Sequence, residues 1–127
     1  MKTTHLEPPR EFSVGAPPQI TLKDCARIRL EPDEQVTFTT ENEAEYDLTR
    51  KDWGFYATPS LNGRLPSFGL RPLLVKNQDT GRRFVMLVET AKEDLFEQYV
   101  RKENLLVVAR LDDEEQLHLI EKALPPR

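Results

Sequence analysis

Hydrophobic and polar residues alternate between residues 20 and 40 of the chain. The apolar positions are Ile20, Leu22, Ala26, Ile28, Leu30, Val36 and Phe38. A period of two places apolar side chains on one face, which is typical of a half-buried antiparallel strand. Residues 31–34 interrupt the alternation with a proline and acidic side chains, which favour a turn. We therefore predict a β-hairpin over residues 19–40.

The turn of this hairpin resembles one in a known family. The segment LEPDEQVTF, residues 30–38, is similar to turns between paired strands in β-barrel domains of the cupin kind. The resemblance implies that the strands on either side of the turn pair with each other. The histidines that bind metal in those enzymes are missing from this segment.

A second hairpin is predicted from residue 70 to residue 89. Residues 70–76 and 82–89 form its strands, and residues 77–81 form its loop, NQDTG. The strand over 82–89 carries apolar residues on both faces, so we predict that it is a central strand. Pro72 lacks a backbone N–H donor, so its strand is predicted at a sheet edge or with a bulge.

Apolar residues recur at helical spacing in the last third of the chain. Leu95, Phe96, Tyr99 and Val100 form one stripe, which predicts a helix over residues 91–103. A second helix is predicted over residues 113–123, and a buried strand over residues 105–111 separates the two.

Polar residues predict where these helices begin and end. Thr90 with Glu93, and Asp112 with Glu115, have the spacing at which a capping residue and an acidic side chain close a helix N-terminus. Asn104 is predicted to adopt a left-handed conformation at the end of the first helix.

Strands followed by a β-α-β-α order predict an α+β fold. The sheet is predicted to be mostly antiparallel, or mixed if the first helix is a parallel crossover, or a small sandwich. Residues 1–18 contain four prolines and are predicted to be an extended or disordered arm. Residues 19–124 form the predicted single globular domain, and residues 125–127 form a tail.

Composition favours a soluble cytoplasmic protein. The chain has 127 residues, of which 38% are hydrophobic and 31% are charged. Its apolar runs are too short to span a membrane, and its N-terminus lacks the apolar core of a signal peptide. Cys25 is the one cysteine, which rules out an internal disulfide and favours a reducing setting.

The formal net charge of −4 is unevenly distributed. Residues 1–48 carry a net charge of −5, residues 49–84 a net charge of +5, and residues 85–127 a net charge of −4. A basic middle between acidic ends suits a local anion site or contact with the chain's own acidic residues. It does not suit nucleic-acid binding, which needs an extended basic face.

Catalytic and metal-binding patterns are absent from the sequence. His5 and His118 are too few to form a zinc site with Cys25, and no loop has calcium-binding spacing. Ser60 and Ser67 lack the glycines of a nucleophile elbow. We therefore predict no catalytic residue, no metal and no cofactor.

Residues 50–71, RKDWGFYATPSLNGRLPSFGLR, combine aromatic side chains with arginines. We predict that Trp53 and Phe55 lie in the core. The residues predicted to bind a ligand or partner are Tyr56, Asn62, Arg64 and Arg71, because aromatic faces stack and guanidinium groups match carboxylate or phosphate. The alternative interpretation is structural: a buried strand over residues 53–57 precedes a loop whose arginines neutralise acidic patches.

Three functions follow as hypotheses. The first is a non-enzymatic accessory domain in which residues 50–71 contact an anionic small molecule or a protein. The alternative is a metal-independent, β-barrel-like enzyme that acts on a sugar or nucleotide-sugar, with Tyr56 and a carboxylate as acid and base. The third is single-stranded nucleic-acid binding, which the net charge argues against. The sequence leaves the oligomeric state open.

Overall fold

The computed structural model describes residues 1–126, and it confirms the predicted α+β fold. The strands are β1 (Lys2–Val14), β2 (Ile20–Arg29), β3 (Gln35–Thr39), β4 (Glu45–Lys51), β5 (Gly54–Ala57), β6 (Leu70–Asn77), β7 (Arg83–Glu89) and β8 (Leu105–Arg110). The α-helices are α1 (Arg64–Ser67), α2 (Glu93–Lys102) and α3 (Glu114–Ala123), and a 3₁₀ turn (Thr90–Lys92) precedes α2. In this described range, no helix has the length and apolar character needed to cross a membrane.

The contacts within the chain divide it into two units. The first unit comprises Met1–Val36 and Leu48–Tyr56, and the second comprises Thr37–Asp47 and the chain from Ala57 onward. The predicted arm of residues 1–18 and domain of residues 19–124 stay predictions.

Strands β1 and β2 form a two-stranded antiparallel ribbon in the first unit. Its register shifts between His5 and Arg10, and residues 6–9 of β1 have no partner in the ribbon's register. Pro8 and Pro9 fall in this irregular stretch, where no ladder hydrogen bond needs the donor that proline lacks. Nine of the 18 residues of the segment predicted as an arm therefore pair with β2.

The hairpin predicted over residues 19–40 is wrong in its pairing. β2 pairs with β1, whereas β3 pairs with β4 in the order β3-β4-β5. The turn itself is present, since the amide of Glu34 donates to the carbonyl of Glu31 at 3.1 Å. The amide of Asp33 donates to the carbonyl of Arg50 in β4 at 2.6 Å, so the turn bonds to β4. Alternation identifies a strand but not its neighbour, and the pairing implied by the cupin resemblance is wrong for the same reason.

Strands β6, β7 and β8 form an antiparallel sheet in the second unit, in the order β7-β6-β8. The hairpin predicted over residues 70–89 is confirmed, with Leu70 opposite Glu89. The predicted positions within the sheet are wrong, because β6 is the central strand and β7 is an edge strand. The apolar residues that favour a central β7 are partly uncovered: Phe84 is 46% exposed and Val85 is 60% exposed.

Pro72 is compatible with a central strand because of where β8 ends. The amide of Leu111, the residue after β8, donates to the carbonyl of Pro72 at 2.9 Å. The donor that Pro72 lacks would therefore point beyond the end of β8, and the ladder loses no bond within the strand. The irregularity predicted near Pro72 lies between Leu74 and Val75, where the register with β8 shifts.

Two apolar clusters hold the second unit together. One contains Leu73, Val75, Val88 and Leu105, against which α2 packs Phe96 and Val100. The other contains Ala44, Leu65 and Leu70. Full burial of a Leu or Val side chain is worth about 1.5–3 kcal/mol, so these clusters dominate the stability of this unit.

Helices α2 and α3 occupy the two predicted helical segments. Asn104 has a φ of 53°, which confirms its predicted left-handed conformation. The cap predicted at Thr90 is wrong: its amide and hydroxyl donate to the carbonyl of Gly69, at 3.0 and 3.4 Å. Thr90 therefore ties the end of β7 to the residue before β6, and the N-cap of α2 is Lys92.

The cap of α3 lies one residue later than predicted. The side chain of Asp113 accepts a hydrogen bond from the amide of Gln116 at 3.0 Å, so Asp113 is the N-cap. The carboxylate of Asp112, the predicted cap, pairs with Arg71 instead.

Candidate functional site

The segment of residues 50–71 is divided between the two units. Residues 50–56 belong to the first unit, and residues 57–71 belong to the second. Tyr56 therefore lies in a different unit from the other predicted binding residues, which are Asn62, Arg64 and Arg71.

The first part is a tight hairpin between β4 and β5. Asp52 and Trp53 form its turn, and Gly54 follows with a φ of 145°, a conformation that residues with side chains rarely adopt. Trp53 is 68% exposed and Phe55 is 56% exposed, so the prediction that they lie in the core is wrong. The physical reason is that β5 is the outer strand of β3-β4-β5 and that the turn carries Trp53 beyond its end.

The exposed rings of this hairpin are Trp53, Phe55 and Tyr56, which we call the aromatic tip. Trp53 stacks on Tyr56, with ring centroids 6.2 Å apart and an angle of 28° between the planes. The guanidinium carbon of Arg50 lies 6.0 Å from the centroid of the Phe55 ring. Nη1 of Arg50 is buried and has no hydrogen-bond partner within residues 1–126.

The base of the aromatic tip is bonded to the turn at residues 31–34. The amide of Arg50 donates to the carbonyl of Glu34 at 2.9 Å, in addition to the bond from Asp33 to Arg50. The ammonium of Lys51 donates to the carboxylate of Asp33, and this hydrogen bond raises the pKa of Lys51. These bonds fix the backbone from which the exposed rings project.

In the second part, the predicted binding residues contact acidic side chains of the chain itself. Nδ2 of Asn62 donates to Glu114 at 2.6 Å. Arg64 lies 3.8 Å from the carboxylate of Asp47, whose side chain is 6% exposed, and 5.2 Å from the ring centroid of Phe68.

Arg71 has the most extensive contacts of the four predicted residues. Its Nε lies 3.1 Å from Asp112 and its Nη1 lies 3.2 Å from Glu93, at the start of α2. Hydrogen bonds to Asp112, and then to Glu93, raise the pKa of Arg71. Arg71 thus connects β6 to α2 and to the segment before α3 through ion pairs.

The larger cavities described for residues 1–126 have linings separate from the aromatic tip. Residues 1–126 contain no group of three or more His, Cys, Asp or Glu side chains placed to hold an ion. A cavity of about 640 Å³ lies along α3, and a groove of about 470 Å³ lies between β7 and α2. Neither is lined by a residue of the aromatic tip.

The aromatic tip is the feature that sequence reasoning missed. Alternation assigns Trp53 and Phe55 to a strand and therefore to a core. The order Asp52-Trp53-Gly54 indicates a tight hairpin turn, because a glycine at that position favours one. That turn would have predicted an exposed Trp53.

Comparison of this chain with protein-family models, curated proteins and solved structures finds no match.

Proposed function

We propose that this chain is a non-enzymatic protein-binding module whose aromatic tip anchors the partner. The observation that carries the proposal is the exposure of three aromatic rings on one fixed hairpin: 68% for Trp53, 56% for Phe55 and 43% for Tyr56. Trp and Tyr supply much of the binding energy at protein interfaces, because a large rigid ring loses little entropy when it is buried.

The chemistry of the tip defines the partner's surface. Two stacked rings fit an apolar cleft, and the guanidinium of Arg50 lies beside the Phe55 ring. We therefore propose a protein cleft with an apolar floor.

A protein partner fits better than an anionic small molecule. Arg71 is already held by Asp112 and Glu93, which an anion would have to displace, and Arg64 lies 3.8 Å from Asp47. We assign Asn62, Arg64 and Arg71 to the support of the fold, and Tyr56 to the binding surface.

The proposal includes a reducing, cytoplasmic setting. Cys25 is an exposed free thiol, and such thiols persist more readily where disulfides are kept reduced.

Affinity purification with matched baits tests this function. The baits are the unchanged chain, Trp53→Ser, and Leu119→Ser as a control, because Leu119 is 65% exposed on α3. We expect the unchanged chain and Leu119→Ser to retain the same protein. Trp53→Ser should reduce its affinity about 30-fold, the effect of losing about 2 kcal/mol at an interface hot spot. Equal affinity for all three baits would contradict the proposal.

A further inference from the structure

The ribbon of β1 and β2 has one apolar face. Its register places Phe12 opposite Leu22 and Val14 opposite Ile20, and alternation continues this face along β2 to Ala26 and Ile28. The β1 partners of Ala26 and Ile28 are His5 and Thr3, so the apolar side chains of this face lie mainly on β2 and at the end of β1. The four largest of these side chains are substantially uncovered: Phe12 is 40% exposed, Ile20 45%, Leu22 42% and Ile28 41%. We call this surface the apolar ribbon face.

The opposite face of the ribbon is basic. It carries the pairs Lys2–Arg29, Thr4–Arg27, Glu11–Lys23 and Ser13–Thr21. Four basic side chains and one acidic side chain give this face a net positive charge, so two copies of it would repel each other. The two faces of the ribbon therefore differ in what they can contact.

A two-stranded ribbon needs a covering layer. An isolated two-stranded ribbon is marginally stable in water, and burial of one apolar face against another layer is what stabilises such sheets. Among the aliphatic residues described in the first unit, Leu30 alone is buried, and it follows the end of β2. The exposed side chains of the apolar ribbon face thus remain available for a second layer.

We propose that this layer is the apolar ribbon face of a second copy of the chain, in a symmetric face-to-face dimer. At the paired positions of this face, the formal charges are those of Arg10 and Asp24, which lie 3.5 Å apart, so these positions carry no net charge to repel a second copy. A two-fold axis brings the same residues of both copies together, which a mainly apolar face without net charge permits and the basic face does not.

The size of the face predicts a weak dimer. Ten residues of β2 extend about 33 Å, and two strands are about 10 Å wide, so two copies bury on the order of 700 Å². This area is below the roughly 1,000 Å² expected of a stable specific interface, so we infer a weak and transient complex. We expect dissociation on dilution through the micromolar range. The dimer does not depend on the proposed function, so Trp53→Ser should leave it unchanged.

Sedimentation equilibrium over a wide range of protein concentration tests the dimer. The variants are Leu22→Asp, on the apolar ribbon face, and Thr21→Asp, the adjacent residue on the basic face. The unchanged chain and Thr21→Asp should approach twice the mass of 14.7 kDa as concentration rises, whereas Leu22→Asp should keep the mass of one chain. A single-chain mass for the unchanged protein at every concentration would overturn the proposal. Equal association of the two variants would also overturn it.

A spin label on Cys25 provides a second measurement that needs no substitution. Cys25 is exposed, and alternation along β2 places it on the face opposite Leu22. In a face-to-face dimer, two labels on the outer faces should be separated by about 20–30 Å, since packed sheets lie about 10 Å apart. Absence of a dipolar coupling in concentrated samples would overturn the proposal even if Leu22→Asp failed to fold.

Discussion

The two units of the chain place their apolar side chains differently. In the second unit, Leu65 and Val75 are completely buried, and helix α2 covers one face of the β7-β6-β8 sheet. In the first unit, Trp53 is 68% exposed and the ribbon presents an uncovered apolar face. This difference shows that a segment can form regular strands without burying its side chains in a core. We interpret the second unit as the stable support and the first as the contact surface.

Removal of a buried side chain should produce the largest difference between the units. Leu65→Ala should lower the free energy of unfolding by about 3 kcal/mol, because it leaves a cavity at a completely buried position. The matched change in the ribbon, Leu22→Ala, should cost less than about 1 kcal/mol, because Leu22 is already 42% exposed. Urea unfolding of both variants measures this difference. Equal losses of unfolding free energy would contradict the distinction between the two units.

Loss of the Arg71 contacts should give the next largest effect. Arg71→Ala leaves Asp112, whose side chain is 10% exposed, without its guanidinium partner. We expect a loss of about 1–2 kcal/mol after allowance for the exposure of Arg71. Arg64→Ala is the control and should cost less, because Arg64 is 58% exposed and lies 3.8 Å from Asp47. Unchanged stability in Arg71→Ala would return Arg71 to the set of candidate binding residues.

A smaller effect is expected from Glu89, which should make the stability of the second unit depend on pH. The hydroxyl of Thr40 donates to Glu89 at 2.6 Å, and this bond, together with Lys92, lowers the pKa of Glu89. A lowered pKa in the folded state stabilises the fold above the unfolded pKa of about 4.3. That stability is lost as the pH falls through the lower, folded value.

Thr40→Val tests this assignment. Without the hydroxyl donor, the pKa of Glu89 should move upward, and NMR titration of the carboxyl carbon measures the change. Thr3→Val, a threonine substitution in the other unit, should leave the pKa of Glu89 unchanged. No upward movement in Thr40→Val would show that the hydroxyl is not the main cause.

The smallest expected effect is on stability at the aromatic tip. Trp53→Ser should change the free energy of unfolding by no more than about 0.5 kcal/mol, as expected for an exposed side chain. Chemical unfolding measures this change alongside that of Leu65→Ala. A loss above 2 kcal/mol at Trp53 would mean that the tip is part of a core, and the distinction between the units would fail.

The sequence predicts those parts of the fold that depend on neighbouring residues. The loop NQDTG joins strands that are close in sequence, so the β6-β7 hairpin is predictable, as are the helical stripe of α2 and the left-handed Asn104. Pairing of β1 with β2 is not predictable in the same way, because the prolines of β1 argue against a strand and are accommodated by an irregular register.

The candidate site depends on contacts that are distant in sequence. Arg71 meets Asp112, which is 41 residues away, and Asn62 meets Glu114, which is 52 residues away. The sequence alone does not show these partners, so each of the two residues looks as though its side chain were free to bind a ligand. Similarly, alternation identifies Phe55 as part of a strand, but only the position of β5 at the sheet edge shows that its ring is exposed.

Hydrogen exchange of the full chain at low concentration tests most directly whether the first unit presents a surface and the second supports it. Amides of β6 near Val75 should exchange only on global unfolding, because they lie in the central strand of a packed sheet. Amides of β2 near Leu22 should exchange at least about 100-fold faster, which corresponds to about 2.8 kcal/mol less opening free energy. Equal protection of β2 and β6 in the dilute protein would contradict the account.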